Sequence, residues 1–299
     1  MMKTENFTDS QTSLSLPPNK SFLVWLSHDV DRIRKTFLHS LYYAIKDRRI
    51  NHVTSFFSSG NPYWNFERIM ALEDRYGVKS TFFFLNESMK ANIFDPYSFV
   101  LAKGRYSITD PSIENMIREL DRKGWEISAH GSYGSYNNRG LLEREKNTLE
   151  KIVGHPVEGI RQHYLNMDIP ETWKIQRALG FQYDASFGLT DDVGWREDVH
   201  YPFYPLNDQF TVFPITIMDS ALFMKYRDID TIWKICLGII EKAQEKKALL
   251  SLLWHQRVFN EHDFPGYREI YERLIEECLK RNAQFTTGKD IGSYLNHNG

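Results

Sequence analysis

The chain has 299 residues, with 37 Lys plus Arg against 39 Asp plus Glu, a formal net charge of −2 and a pI near 6.6. That balance argues against a dedicated nucleic-acid binder, which carries a basic stripe and a high pI. Hydrophobic residues at 41% and charged residues at 25% exclude wholesale disorder, and no run approaches the ~18 consecutive apolar residues of a membrane span.

Residues 1–20 are polar, end in Pro17-Pro18 and lack the apolar stretch of a secretory signal, so they read as a flexible tail. From there one cadence recurs: amphipathic helix, glycine, short apolar strand. Phe22–Ser27 is the first strand and runs into His28-Asp29-Val30-Asp31. Residues 32–63 read as an insertion after it, either a solvated helix and loop or a lid or acceptor-binding element. A helix at 66–72 leads through Gly77 into a strand at 80–84. Asp110 before Pro111 marks a helix start, and Gly124 ends that helix before Trp125–His130. The helix at 142–153 stops at Gly154 before Gly159–His163, and the helix from Pro170 stops at Gly180 before Phe181–Asp184. Later strands are expected at 210–217, 249–255 and 285–287, with long helices at 229–246 and 267–281 between them.

Repeated strand–helix alternation means βαβ units and a mostly parallel sheet. About seven strands suggest an α/β barrel within a single domain, 21–299, with an open doubly wound sheet as the alternative. Cys236 and Cys278 have no metal spacing around them and read as reduced structural thiols. With the absent signal, they point to a cytoplasmic protein.

Catalytic side chains in parallel α/β folds come from the carboxyl ends of strands. Here successive strand ends carry Asp29 and Asp31, His130, Arg161 and His163, Asp184, and His255. Alternation along a strand puts Asp29 and Asp31 on one face and His28 on the other. Two such close carboxylates need a cation or a proton between them, which suits a metal ligand beside a general base. A divalent ion held by carboxylate and imidazole polarises a carbonyl and acidifies its bound water, while a histidine returns a proton to the leaving group. There is no G-x-S-x-G elbow and no Gly-rich phosphate loop. Trp195, Arg196 and 201–205 are weaker candidates for a substrate rim, and Asp219 for the cleft wall.

In their order these motifs resemble the polysaccharide deacetylases of the NodB-homology group, carbohydrate esterase family 4, over most of residues 21–295. The resemblance implies a distorted (β/α) barrel of about seven strands. It implies Asp29 as base and Asp31 and His130 as metal ligands. It further implies Arg161 orienting the base, the Tyr164 backbone N–H facing the oxyanion, Asp184 supporting the catalytic histidine, and His255 as proton donor. The family's second metal histidine falls at Gly134, so Ser135 or His163 is expected to fill that place, or water does. The expected activity is removal of an N-acetyl or O-acetyl group from a carbohydrate, a cell-surface glycan precursor, with a divalent cofactor, Zn2+ first among candidates. Hydrolysis of another C–N bond on this fold, or a degenerate glycan-binding protein, are the alternatives. The expected partners include carbohydrate, no nucleic acid and no membrane span; oligomeric state is left open.

Overall fold

The computed structural model describes residues 12–46, 50–57, 61–87 and 106–296. Among the described residues nine strands form the sheet: β1 Leu23–Val30, β2 Thr81–Leu85, β3 Glu126–Gly131, β4 Gly159–Gln162, β5 Tyr183–Phe187, β6 Thr211–Pro214, β7 Ile217–Met218, β8 Leu249–Leu253 and β9 Gln284–Thr286. Their order is β6-β5-β4-β3-β2-β1-β8-β7, every pair along it is parallel, and β9 adds to β1. Strands covered on both faces read as continuous apolar runs, which is why β1, β2 and β8 are buried along their whole length.

Only Ile215 and Thr216 separate β6 at one end of that order from β7 at the other. Ile215 donates its N–H to Phe187 on β5 at 2.8 Å, and Thr216 donates to Ser251 on β8 at 3.1 Å. One extended segment therefore exchanges partners in mid-course and curls the sheet into a barrel, so the open doubly wound alternative does not hold. β1 changes partner as well. Its residues 27–30 pair with β2, and 23–25 pair with β9, which wedges into the amino end.

The helices follow their capping chemistry. Asp110 accepts from the Ser112 N–H ahead of Pro111–Arg122, and Asn138 accepts from Leu141 ahead of Arg139–Val153. Gly77 and Gly154 end their helices at φ +65° and +84°, where a side chain is strained. Packed outside the strands, these helices enclose one large core, while Trp25, Phe83, Tyr183 and Phe213 fill the barrel interior. Cys236 and Cys278 are free and fully buried.

Some expectations shift. The strand expected from 181 begins at Tyr183, and a helix at Asp219–Lys225 follows β7 directly. Of the expected flexible tail, residues 1–11 lie outside the described residues. Residues 12–20 are docked: Leu14 bridges Leu295, and Thr12 donates to the Pro202 carbonyl. In the insertion, helices Phe37–Lys46 and Asn51–Thr54 are present, and positions 47–49 and 58–60 lie outside the described residues. Lys35 pairs with Asp263 while Ser55 donates to that carboxylate, pinning the insertion to the loop after β8. The Trp195 indole donates to the carbonyl of Leu249, at the amino end of β8, so this candidate rim residue sits away from the strands' carboxyl ends. Among the described residues no helix is long and apolar enough to cross a membrane.

Candidate active site

β1 delivers Asp29 inward and sends His28 the other way. The His28 ring lies between the Trp254 carbonyl and Glu73, each 2.8 Å away, in a fully buried polar cluster with Tyr271. Asp29 instead meets Arg161, whose Nη1 donates to Oδ1 at 2.6 Å. The remaining guanidinium donors reach the Ala185 carbonyl and Ser27 Oγ, both at 2.9 Å, and the plane lies 4.1 Å over the Phe83 ring. Every bond holds the fork in one orientation, so Asp29 keeps its aim.

Asp31 is the meeting point of the remaining groups. Its Oδ1 lies 3.2 Å from His130 Nε2 and 3.8 Å from His163 Nε2. Its Oδ2 lies 2.9 Å from Arg257 Nη1 and 3.5 Å from His255 Nε2. Burial opposes the Asp31 charge, but the hydrogen bond to His130 and the cationic fields of His163, His255 and Arg257 outweigh it. The carboxyl is held well below the usual range.

The ligand atoms of Asp31, His130 and His163 all lie within 4.8 Å of one another, and all three residues are buried. His130 Nδ1 donates to the Arg161 carbonyl at 2.9 Å, which fixes the ring with Nε2 turned to the carboxylates. One carboxylate and two imidazoles fit a zinc-type donor set of three protein ligands with an open position. Of the two residues expected to replace the missing histidine, His163 is in this cluster. The Ser135 hydroxyl donates to the Ser132 carbonyl at 2.9 Å and lies 3.2 Å from Gln162 Oε1.

His255 corrects a second expectation. Its Nδ1 meets Asp219 Oδ1 at 2.7 Å, and its backbone N–H donates to Oδ2 of the same carboxylate at 2.8 Å. Burial disfavours charge on this ring, yet the Asp219 carboxylate prevails and raises its pKa above the ordinary histidine value. Asp184 does not reach His255. It accepts from Gln176, Ser186 and Trp173, and burial raises its pKa despite those bonds, which marks it as a fastener of the strand end. Tyr164 follows His163 in a three-residue turn at φ +59°, a costly conformation for a non-glycine residue, with its ring exposed at the mouth.

Two residues lay beyond sequence reasoning at full weight. Asp219 opens a helix just past β7, a two-residue strand too short for any periodic signal. Arg257 sits in the turn Gln256–Phe259, where a lone arginine reads as a solvated loop residue.

No family profile matches the chain. The "putative carboxypeptidase YodJ" of Bacillus subtilis (strain 168) is 27% identical over 109 residues, 33% of this chain and 38% of that protein. This match therefore spans under half the length of that curated relative. A solved structure described as a "putative polysaccharide deacetylase" from Mycobacterium smegmatis superposes with a TM-score of 0.63 at 18% identity. It covers 94% of this chain and 92% of the other. A family 57 branching enzyme from Thermococcus kodakaraensis gives 0.56 at 13% identity, covering 93% and 72%. At such identities the likeness shows the fold, and that fold is the distorted barrel of the polysaccharide deacetylases.

Proposed function

We propose that the protein is a metal-dependent hydrolase that removes an acetyl group from an acetamido sugar, with the sugar belonging to a cell-surface glycan precursor. The observation that carries this reading is the shared mouth: the Asp29–Arg161 pair, the Asp31/His130/His163 cluster and the His255–Asp219 pair lie within contact of one another. The barrel's likeness to a polysaccharide deacetylase supports it.

Asp31, His130 and His163 would hold the divalent cation, zinc first among candidates. When bound, it supplies Lewis acidity toward the acetyl carbonyl and its attacking water. Asp29, oriented by Arg161, takes the proton of that water. The Tyr164 backbone N–H serves the developing oxyanion. His255, charged and aimed by Asp219, returns a proton to the amine nitrogen as the C–N bond breaks, leaving acetate and a free amine. A cytoplasmic location belongs to this reading, and fractionation checks it.

The test is acetate release from N-acetylated amino-sugar oligomers by metal-supplemented protein, run beside Asp29→Asn and beside ammonia or ring-opening assays on cyclic amides. Acetate from wild type alone supports the reading; no acetate from any sugar, or an active Asp29→Asn, removes it. Arg257 on Asp31 Oδ2 favours a second reading, a non-catalytic glycan-binding protein. Metal analysis of protein purified without chelator separates the two.

A further inference from the structure

A cavity of about 530 Å³ adjoins the mouth, and His255, Asp219 and Arg257 belong to its wall. The volume lies within the range of small-molecule sites, ~300–1,000 Å³. Phe223 and Tyr267, stacked at 3.6 Å and 15°, line one side together with Phe264, so the cavity offers flat aromatic surface.

Its charges are not balanced. Each carboxylate in the wall is already answered: Asp219 by His255, Asp263 by Lys35 and Ser55, and Glu269 by Arg273. The two arginines are not equally answered. Arg227 is exposed and has no ion pair among the described residues. Arg257 spends one nitrogen on Asp31, while its buried Nε has no acceptor. A buried guanidinium donor without a partner costs free energy that an incoming anion would recover.

We propose that this cavity is a subsite for an acidic sugar residue, a pyranose bearing a carboxylate or phosphate. Arg227 and Arg257 take the anion, and the aromatic wall takes the apolar face of the ring. The ring's identity rests on the deacetylase reading; the preference for an anion rests on the arginines. Because His255 stands between cavity and cluster, the acidic residue is the amine-bearing unit or its neighbour.

The experiment is calorimetric binding of glucuronate, glucose 6-phosphate and neutral N-acetylglucosamine to the full chain at low salt. Wild type is repeated at 1 M salt, where screening falls to ~3 Å. We expect at least one acidic probe to bind well ahead of the neutral sugar, the better one naming the anion, and to weaken in high salt. Arg227→Gln, a surface change that leaves packing alone, should weaken it about two- to fivefold, with Arg227→Lys restoring most of the loss. Arg257→Gln should weaken it about tenfold or more. Equal binding of N-acetylglucosamine, or acidic affinities indifferent to salt and to both arginine variants, overturns the subsite. Acid-selective binding without acetate release overturns the deacetylase reading alone, and acetate release without acid selectivity overturns the subsite alone.

Discussion

Asp219→Asn separates what the motif order implies from what the geometry holds. The Asp219 carboxylate takes the His255 ring at 2.7 Å and the His255 backbone N–H at 2.8 Å, in a fully buried position. Asparagine keeps one acceptor oxygen, brings an NH2 where the second stood, and carries no charge for the imidazolium. A hydrogen bond to a charged group contributes about 1.5–3 kcal/mol. At 1.36 kcal/mol per decade, that corresponds to roughly a 10- to 150-fold loss in kcat. The pH profile should move too. Since Asp219 raises the His255 pKa, the acid form persists to higher pH in wild type, and the variant's alkaline limb should fall at lower pH. Asp184→Asn is the control, because its partners are Gln176, Ser186 and Trp173 and not His255. It should lower the melting temperature and leave the limb in place. Stopped acetate assays from pH 5 to 10 on both variants decide the matter. A wild-type rate and limb in Asp219→Asn, or the same limb shift in Asp184→Asn, would refute the assignment.

Other consequences are equally open to measurement. Alanine at Asp31, His130 or His163 should each lower bound zinc, read by elemental analysis after dialysis, whereas Ser135→Ala should leave metal content unchanged. Burial raises Glu145 to about 7 although Ser132 donates to it twice. Its protonated form is therefore stabilising in full below pH ~4.5, a contribution lost as pH rises through ~7, up to about 3 kcal/mol. Urea titrations should show the stability of Glu145→Gln gaining on wild type by that order between pH 4.5 and 7.5; a constant difference would count against it. Glu73 accepts from Tyr271, Ser80 and Trp125 and meets His28, all buried. Glu73→Ala should cost about 3–5 kcal/mol in denaturant titration.

How much was legible depended on which signals are local. Helix ends were, because Asp110-Pro111, Gly77 and Gly154 act through their own backbone. The opposed faces of His28 and Asp29 were as well, since alternation along a strand follows from geometry alone. The partner of His255 was not. Read from the sequence, Asp184 and Asp219 both close apolar stretches; in the structure Asp184 lies inside β5 while Asp219 follows β7, and only the barrel's closure decides which one comes near β8. The proposed ligand cluster fell in between: the absence of a histidine at Gly134 could be seen, but the approach of His163 to Asp31 and His130 lies beside a turn with two consecutive left-handed residues, Tyr164 and Leu165, which carries no local signal.

That closure works as a ruler. The segment 211–218 leaves β5 and arrives on β8 with two residues in transit, and Asp219 is the next residue after it. Inserting one residue between Pro214 and Ile217 would invert every side chain arriving on β8 and turn this acid from the imidazole toward the helical shell. Chain length at this crossing thus sets whether Asp219 meets His255, whereas the excursion after β1 can vary without changing where the acid lands.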